Sequence, residues 1–586
     1  MTSFDPVVLE ILWNRLISVC NEQHLTLLRT AFSTVVRESQ DLSCGVFDRR
    51  GRMMAQSATG TPGHINAMAT GVRHFLAAFP ESTLEPGDVM ITNDPWMTAG
   101  QINDMTVLSP VFLDDALVAY FASTCHAPDI GGRMLSAEAR EIYEEGLRIP
   151  LTKLFHRGEP NAELFRIIRA NVRTPEETVG DLYAQASSNA VGARSLLHLM
   201  REFHLDSIED LADEIMSRSE SALRNSIFQI PNGRYENESW SDGFEEPIRI
   251  RVAVTVEDRD IHIDFAGSSP QSGRGINVVL NYTQAYASFA IKAAIGPEVP
   301  HNDGSFRPVH ITAPEGSIFN CREPAAVGSR HLIGHFVPGA IFGALAQAMP
   351  GQLMSGGSEP VWLSLYRGEQ IKESGVRSSF MLSHFQLGGM GARASKDGLN
   401  TTGFPSGVGG VPAEIIESLT PLLQRRRELR IDSGGAGRFR GGLGQSTEMR
   451  CTSGQPWEVS AMIDRIKFPG SGLQGGAPGE RGHFSVDQVP KPAKMLISLA
   501  PSATVQLDLP GGGGYGDPLE RSPEQVLQDV IDGYVSIEAA RSEYRVAIIY
   551  SGTQDQLVRL PEHFRVDQPA TQALRLDEIN LRLKRR

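Results

Sequence analysis

Apolar residues near the beginning of the chain repeat at the spacing of an α-helix. Asp5 and Pro6 form a typical helix start, because an aspartate side chain can cap free N–H groups and proline suits the first helical position. The apolar residues that follow recur every three or four positions, namely Val8, Ile11, Leu12, Leu16 and Val19. This pattern predicts a helix that ends near residue 32.

Short apolar runs, separated by glycine, proline, asparagine and aspartate, predict β-strands from Asp41 to about residue 150. A hairpin is expected over residues 46–54, with its turn at Arg50-Gly51. Further strands are predicted over 88–92, 105–112, 116–122 and 248–265, and in the glycine-rich stretch 428–500. Helices are predicted over 160–226 and 279–294 and after the capping residues Ser522 and Ser536.

The order of these elements predicts a mixed α/β (α+β) fold of large intertwined modules, with β-rich sheets and flanking helices. No repeat of fixed period and no long linker rich in proline or serine divides the chain. Five modules are expected: an N-terminal α/β module with a candidate metal site (1–155), a helical segment (156–245), a central α/β module (246–425), a glycine-rich β module (426–520) and a C-terminal helical tail (521–586).

Composition narrows the class of protein. Hydrophobic residues make up 41% of the 586 residues and charged residues 21%, as in an ordinary globular chain. The formal net charge of -14 argues against a nucleic-acid binder. The five cysteines lie far apart without a CxxC pair, which favours a reducing compartment. With no signal peptide and no apolar run of membrane-spanning length, we expect a cytoplasmic protein that does not enter a membrane.

Two glycine-rich stretches resemble nucleotide-binding loops but lack the required context. Residues 511–516 match G-x-G-x-x-G, yet Asp517-Pro518 follows and the next helix waits until Ser522, so no helix N-terminus would face a pyrophosphate. Residues 434–444 lack the Gly-Lys-Ser/Thr ending of a phosphate loop. We expect no nucleotide site, and we interpret 434–444 as a tight loop with several positive φ angles.

Polar residues with catalytic and metal-binding chemistry concentrate at predicted loops in the first 150 residues. They are Glu38 and Asp41 at a helix-to-strand turn, His64 after a Pro-Gly turn, Asp104 just before a strand, and His126 and Asp129 after the strand that ends at Ala122.

A mixed His/Asp set suits Zn, Mn or Fe with an open position for water. His126 and Asp129, three residues apart, can turn toward one point, and Asp41 and Asp104 can add oxygens. An alternative stays open, because Asp and Asn at strand ends commonly make turns and caps, and a histidine near glycine is commonly structural.

In this order, the segments resemble the hydantoinase B family, which includes N-methylhydantoinase B-type subunits, the C-terminal part of 5-oxoprolinase and the acetone carboxylase alpha subunit. The resemblance covers about residues 5 to 547. The matching stretches are 37–43, 86–89, 93–96, 126–132, 143–150, 264–267, 307–308, 314–316, 433–442 and 510–518.

The resemblance implies the substrate-processing half of an ATP-dependent hydrolase of hydantoins, 5-oxoproline or similar lactams. A partner, the hydantoinase A-type ATP-binding subunit, would phosphorylate the carbonyl oxygen of the cyclic amide, so a hetero-oligomer is expected and ATP enters through the partner. A metal-bound water would then open the ring. The implied metal ligands are Asp41, Asp104, His126 and Asp129, and the expected catalytic residues are His126, Asp129, Glu38 and His64.

One position departs from the family pattern. Gln101 stands where a histidine typically contributes to the metal site. Glutamine is a weaker ligand that donates oxygen, so the metal differs, binds more weakly, or the chemistry has shifted.

Two alternatives to the hydrolase remain. The first is an acetone-carboxylase-like subunit, which would usually need a third, small subunit. The second is a non-catalytic scaffold for the A-type partner with a decayed metal site, and Gln101 is the residue in its favour.

Overall fold

A computed structural model describes residues 4–371, 375–553 and 559–585, and the fold is mixed α/β, as predicted. Its helices are α1 (Pro6–Thr30), α2 (Thr34–Arg37), α3 (Pro62–Ala78), α4 (Ile142–Glu145), α5 (Ala162–Asn171), α6 (Pro175–Glu202), α7 (Glu209–Phe228), α8 (Leu280–Ile295), α9 (Asp303–Phe306), α10 (His331–Gly334), α11 (Phe336–Leu345), α12 (Ala413–Leu419), α13 (Pro523–Ile531), α14 (Ile537–Ser542) and α15 (Gln568–Arg585).

The first helix begins where the sequence predicts. The Asp5 side chain accepts hydrogen bonds from the backbone N–H groups of Val7 and Val8 at 2.9 and 3.3 Å. Ser522 and Ser536 likewise cap α13 and α14. None of the helices in the described ranges is both long and apolar enough to cross a bilayer.

The N-terminal sheet has seven strands in the order β2-β1-β5-β4-β3-β6-β7, and all neighbours are antiparallel. The predicted hairpin is present, and Gly51 at its turn has a φ of 75°. The strands are β1 (Leu42–Asp48), β2 (Met53–Gln56), β3 (Val89–Thr92), β4 (Asp104–Leu113), β5 (Ala116–His126), β6 (Thr152–His156) and β7 (Glu159–Pro160).

One strand is longer than predicted. β5 continues past Ala122 to His126, because Cys125 still pairs with Leu42 of β1 and with Met105 of β4. The histidine therefore belongs to the sheet rather than to the loop that follows it.

The other strands form four smaller sheets, antiparallel except for the parallel pair β10–β11. Their orders are β11-β10-β9-β8, β13-β12-β16-β19, β14-β15-β20-β17-β18 and β21-β22. The strands are β8 (Gly233–Ser241), β9 (Ile248–Glu257), β10 (Asp260–Asp264), β11 (Val309–Thr312), β12 (Trp362–Ile371), β13 (Arg377–Gln386), β14 (Leu422–Leu429), β15 (Gln445–Cys451), β16 (Trp457–Met462), β17 (His483–Val486), β18 (Val489–Pro490), β19 (Leu496–Leu499), β20 (Thr504–Asp508), β21 (Ile548–Tyr550) and β22 (Phe564–Val566).

Helices cover both faces of the N-terminal sheet. Successive side chains of a strand point to opposite faces, so neighbouring residues of β5 pack against different helices. On one face, Phe121 of β5 packs in a cluster with α1, α6 and α7. On the other, Tyr120 packs with apolar side chains of α3. The helix α3 also packs against α8, and this contact brings α8 next to the end of the sheet where β4 begins and β5 ends.

The glycine-rich segments have a different role from the one predicted. The glycines of 434–444 are not among the positive-φ residues, so the expectation of several left-handed positions is wrong. They permit close backbone packing: a Cβ on Gly441 would lie 1.9 Å from the Gly512 carbonyl oxygen. Gly512 N–H donates to Gly442 O at 2.9 Å and Gly435 N–H to Gly512 O at 2.8 Å. These N–H groups donate to backbone carbonyls within the fold.

Candidate functional site

Four of the predicted site residues meet where α3 approaches the end of the N-terminal sheet. Asp104 opens β4, His126 closes β5, and the two are direct partners across the strand pair. Asp41 lies just before β1, and His64 lies in the first turn of α3. The antiparallel register therefore brings together residues that are far apart in sequence.

A hydrogen-bonded cluster joins these side chains. His126 Nδ1 lies 2.9 Å from Asp104 Oδ1, and His64 Nε2 lies 3.3 Å from Asp104 Oδ2. On the other side of His64, Nδ1 lies 3.6 Å from Asp41 Oδ1, which also accepts a bond from the Thr61 hydroxyl at 2.9 Å. An ionised carboxylate only accepts, so the ring nitrogens that face Asp104 carry protons.

Two ring nitrogens in this cluster have no hydrogen-bond partner among the described residues. They are His126 Nε2 and His64 Nδ1, and both are buried. An unsatisfied buried polar atom is costly, so such an atom needs a structural or functional reason. Here both histidines line a cavity of about 30 Å³, which has room for water.

A buried arginine completes the site. Arg330 directly precedes α10, and its side chain is 4% exposed. Its Nε donates to the Ala99 carbonyl at 2.8 Å, and its two terminal nitrogens donate to Gln101 Oε1 and to Asp104 Oδ2. The guanidinium carbon lies 4.2 Å from the centre of the Tyr282 ring, within cation–π range.

The orientation of Gln101 is fixed from both ends. Its Nε2 donates to the Gly328 carbonyl at 2.8 Å, so its oxygen points toward Arg330. Glu145 holds the same turn, because its Oε1 accepts from Val327 N–H and Gly328 N–H, each at 2.7 Å.

Neighbouring charges and burial together set the pKa values of the ionisable groups in this cluster. Burial raises the pKa of Asp104, but the charges of Arg330 and His64 outweigh it and hold that pKa well below its usual range. Burial lowers the pKa of His64, yet attraction to Asp104 and Asp41 raises it above its ordinary value overall. Burial, with the charge of Arg330, lowers the pKa of His331 to about 3. The site thus contains ionised Asp104, a readily protonated His64 and neutral His331.

Two of the predicted site residues lie elsewhere. The Asp129 carboxylate accepts from Arg173, through the guanidinium Nη1 at 2.6 Å and the backbone N–H, and it does not line the cavity. Glu38 pairs with its neighbour Arg37 at 2.8 Å and is partly exposed. The strand that carries His126 ends there, and the chain then turns Asp129 toward the start of α6.

The donor set does not fit a divalent metal. No group of three or more His, Cys, Asp or Glu side chains in the described ranges is arranged to hold one. Both oxygens of Asp104 are already bonded, and the Gln101 oxygen faces a guanidinium that stays protonated. A divalent ion about 4 Å from that charge would meet a repulsion of about 8 kcal/mol at an effective dielectric constant near 20.

Sequence reasoning missed the residues contributed from beyond position 280. Arg330, His331, His335 and Tyr282 all line the cavity. Arg330 lies 226 positions from Asp104. No local motif marks it, since it follows an ordinary Gly-Ser pair; only the buried pairing in three dimensions identifies it.

Comparisons with known proteins cover nearly the whole chain. The family model described as hydantoinase B/oxoprolinase matches residues 5–518. A protein of Pseudomonas sp. (strain NS671), described as a candidate B-type subunit of a D-/L-hydantoinase, is 31% identical over 94% of this chain and 96% of its own length. The beta chain of the caprolactamase of Pseudomonas jessenii is 29% identical over 95% of this chain and 98% of its own.

Two solved structures share the fold. The ATP-dependent caprolactamase of Pseudomonas jessenii matches 98% of this chain and 100% of its own, with a TM-score of 0.87 and 26% identity. A nucleotide-free acetone carboxylase matches 99% of this chain and 84% of its own, with a TM-score of 0.87 and 18% identity. At 18% identity the second likeness concerns the fold alone.

Proposed function

The chain belongs to the hydantoinase B/oxoprolinase family, and from that membership and its site we propose that it opens a cyclic amide that an ATP-binding partner has activated. The relatives named as the B-type chain of a hydantoinase and the beta chain of a caprolactamase support a division of labour between two chains. The glycine-rich segments here use their N–H groups internally, so ATP would be bound by the partner.

The observation that carries the proposal is the His126–Asp104 pair with a free His126 Nε2 facing the cavity. Asp104 accepts from Nδ1 and so leaves Nε2 as the basic nitrogen. A water in the cavity can then lose a proton to His126 as it bonds to the amide carbon. A general base of this kind contributes roughly 10²- to 10⁴-fold to a rate.

His64 is suited to the opposite task. Attraction to Asp104 and Asp41 raises its pKa, which favours the protonated ring more than in an ordinary histidine, and it lines the same cavity. As the C–N bond of the ring breaks, its electron pair stays on nitrogen, and His64 can supply the proton that nitrogen takes up. The phosphoryl group remains on the carboxyl oxygen until a second water releases it as inorganic phosphate.

The low reactivity of a cyclic amide explains why the substrate must be activated with ATP by the partner. A cyclic amide is a poor electrophile, whereas its O-phosphorylated form attracts the incoming water more strongly. The cavity of about 30 Å³ has room for the water but not for the ring, so binding of the ring requires a wall to move.

The test is reconstitution with an A-type subunit. The chain, the A-type subunit and their complex are incubated with ATP and with hydantoin, 5-oxoproline or caprolactam, and ADP and ring-opened product are measured. We expect ATP-dependent ring opening by the complex and by neither chain alone. ATP turnover by this chain alone would contradict the proposal.

Two further outcomes separate the alternatives. ATP consumption that requires acetone and bicarbonate, with every cyclic amide inert, would indicate carboxylation. A complex that assembles but converts none of these substrates would support a scaffold.

A further inference from the structure

Two of the residues expected in the metal site, Gln101 and Asp104, contact a permanently charged side chain. The Arg330 guanidinium lies between Gln101 and Asp104, and it donates a hydrogen bond to each. Asp104 is fully buried and Arg330 nearly so, so solvent screens this pair weakly. A buried carboxylate needs a cation nearby, and here the chain supplies it.

Gln101 fits this arrangement better than a histidine would. Its carboxamide accepts from Arg330 through oxygen and donates to the Gly328 carbonyl through nitrogen at 2.8 Å. A neutral histidine has one donor and one acceptor on a rigid ring and is a stronger metal ligand. The pairing of an amide at 101 with a guanidinium at 330 satisfies the polar atoms of Gln101 without an ion.

Further contacts hold Arg330 in this position. Its Nε donates to the Ala99 carbonyl at 2.8 Å, and the guanidinium lies over Tyr282. The turn before it is tied by Glu145 through two backbone N–H groups and by the Ser329 N–H bond to Gly275 O at 2.7 Å.

We infer that Arg330 is the resident cation of this site and takes the place of the divalent metal that the His/Asp set predicts. The guanidinium balances Asp104, and Asp104 in turn orients His126. This inference concerns the resident cation only and holds whether or not the chain opens cyclic amides.

The first test is direct. The full-length chain is freed of bound ions by dialysis and titrated with ZnCl₂ and MnCl₂ in a calorimeter, and the chain as purified is analysed for metals. We expect no stoichiometric metal and no site-specific uptake. One tightly bound equivalent that disappears in His126→Ala would overturn the inference.

A paired substitution tests whether Arg330 stands in place of a metal ion. Gln101→His combined with Arg330→Met supplies the missing imidazole and removes the charge. This variant should gain one stoichiometric Zn²⁺ site, at least roughly 100-fold tighter than any nonspecific binding by the unmodified chain. The matched control is Gln101→His alone, which keeps Arg330 and should not gain the site. Failure of the folded double variant to gain Zn²⁺, or equal gain by the control, would overturn the inference.

Folding is checked by circular dichroism. If the double variant does not fold, Arg330→Lys replaces it: the ammonium keeps the charge, so this variant should fold and bind no Zn²⁺. Uptake of one equivalent by Arg330→Lys would count against the inference.

Discussion

Glu145 provides a quantitative test of the electrostatics behind the site. The carboxylate lies at the end of α4, and Oε1 accepts two backbone N–H bonds from the turn before Arg330, while Oε2 is buried without a hydrogen-bond partner in the described part of the chain. Burial is the largest influence and raises the pKa of Glu145 to about 8, although the two backbone bonds and Arg330 act in the opposite direction. Between pH 4.5 and about 8, Glu145 is therefore protonated in the folded chain and ionised in the unfolded chain.

The sign of the pH dependence follows from this difference. Below the ordinary value of 4.5 both states are protonated, and the favourable contribution is fully present. As pH rises toward about 8, only the unfolded chain has lost its proton, so stability falls. At about 1.4 kcal/mol per pH unit, the loss is on the order of 5 kcal/mol.

Glu145→Gln removes this titration while keeping an oxygen for the two N–H groups. The assay is urea unfolding, followed by tryptophan fluorescence, at several values between about pH 5 and pH 9. The unmodified chain should lose stability relative to the variant as pH rises over this range, by roughly 4 kcal/mol. Glu144→Gln is the matched control, because Glu144 is partly exposed and pairs with Arg133 on the surface. Parallel pH curves for Glu145→Gln and the unmodified chain would refute the reasoning.

Three further substitutions test separate parts of the account. Asp129→Asn weakens the bonds to Arg173 and should lower the free energy of unfolding by about 1–3 kcal/mol without changing metal content; unchanged thermal stability would contradict this. Gly63→Ala places a Cβ 2.4 Å from the Tyr282 ring and should cost roughly 1–3 kcal/mol, measured by thermal unfolding. Asp41→Asn removes a negative charge that raises the pKa of His64, so the alkaline limb of kcat/KM in the assembled complex should move to lower pH.

Local sequence signals predicted individual elements well. The cap and the apolar repeat of α1 placed its first residue correctly and its end within a few residues of Thr30. The Arg50-Gly51 turn placed the first hairpin. These features depend on neighbours in sequence, which is why a pattern of a few residues is sufficient.

The site was predictable only in part, because tertiary pairing decides it. The structure places Asp41 and Asp104 next to His126, as expected for polar residues near neighbouring strand ends. Asp129 was expected in the same group, but β5 ends at His126 and the Asp129 carboxylate accepts a hydrogen bond from Arg173 instead. Sequence spacing does not determine the direction of a side chain beyond the end of a strand.

Arg330 is the site residue that sequence patterns could not identify. Its role depends on a contact across 226 positions, formed when the turn before α10 packs against β4. The family resemblance singled out Gln101 as a departure from the usual pattern, and in the structure its amide links Arg330 to Gly328. The module boundaries proposed from the sequence stay predictions.

The most direct measurement compares product formation with ATP use in complexes that carry His126→Gln or His198→Gln. His198 lies exposed on α6, away from the cavity, and serves as the matched control. With the partner and a cyclic amide that the unmodified complex opens, we expect His126→Gln to assemble normally and to form ring-opened product at least about 100-fold more slowly. The control should match the unmodified rate. Ring opening by His126→Gln at the control rate would contradict the assignment of His126 as the base that activates water.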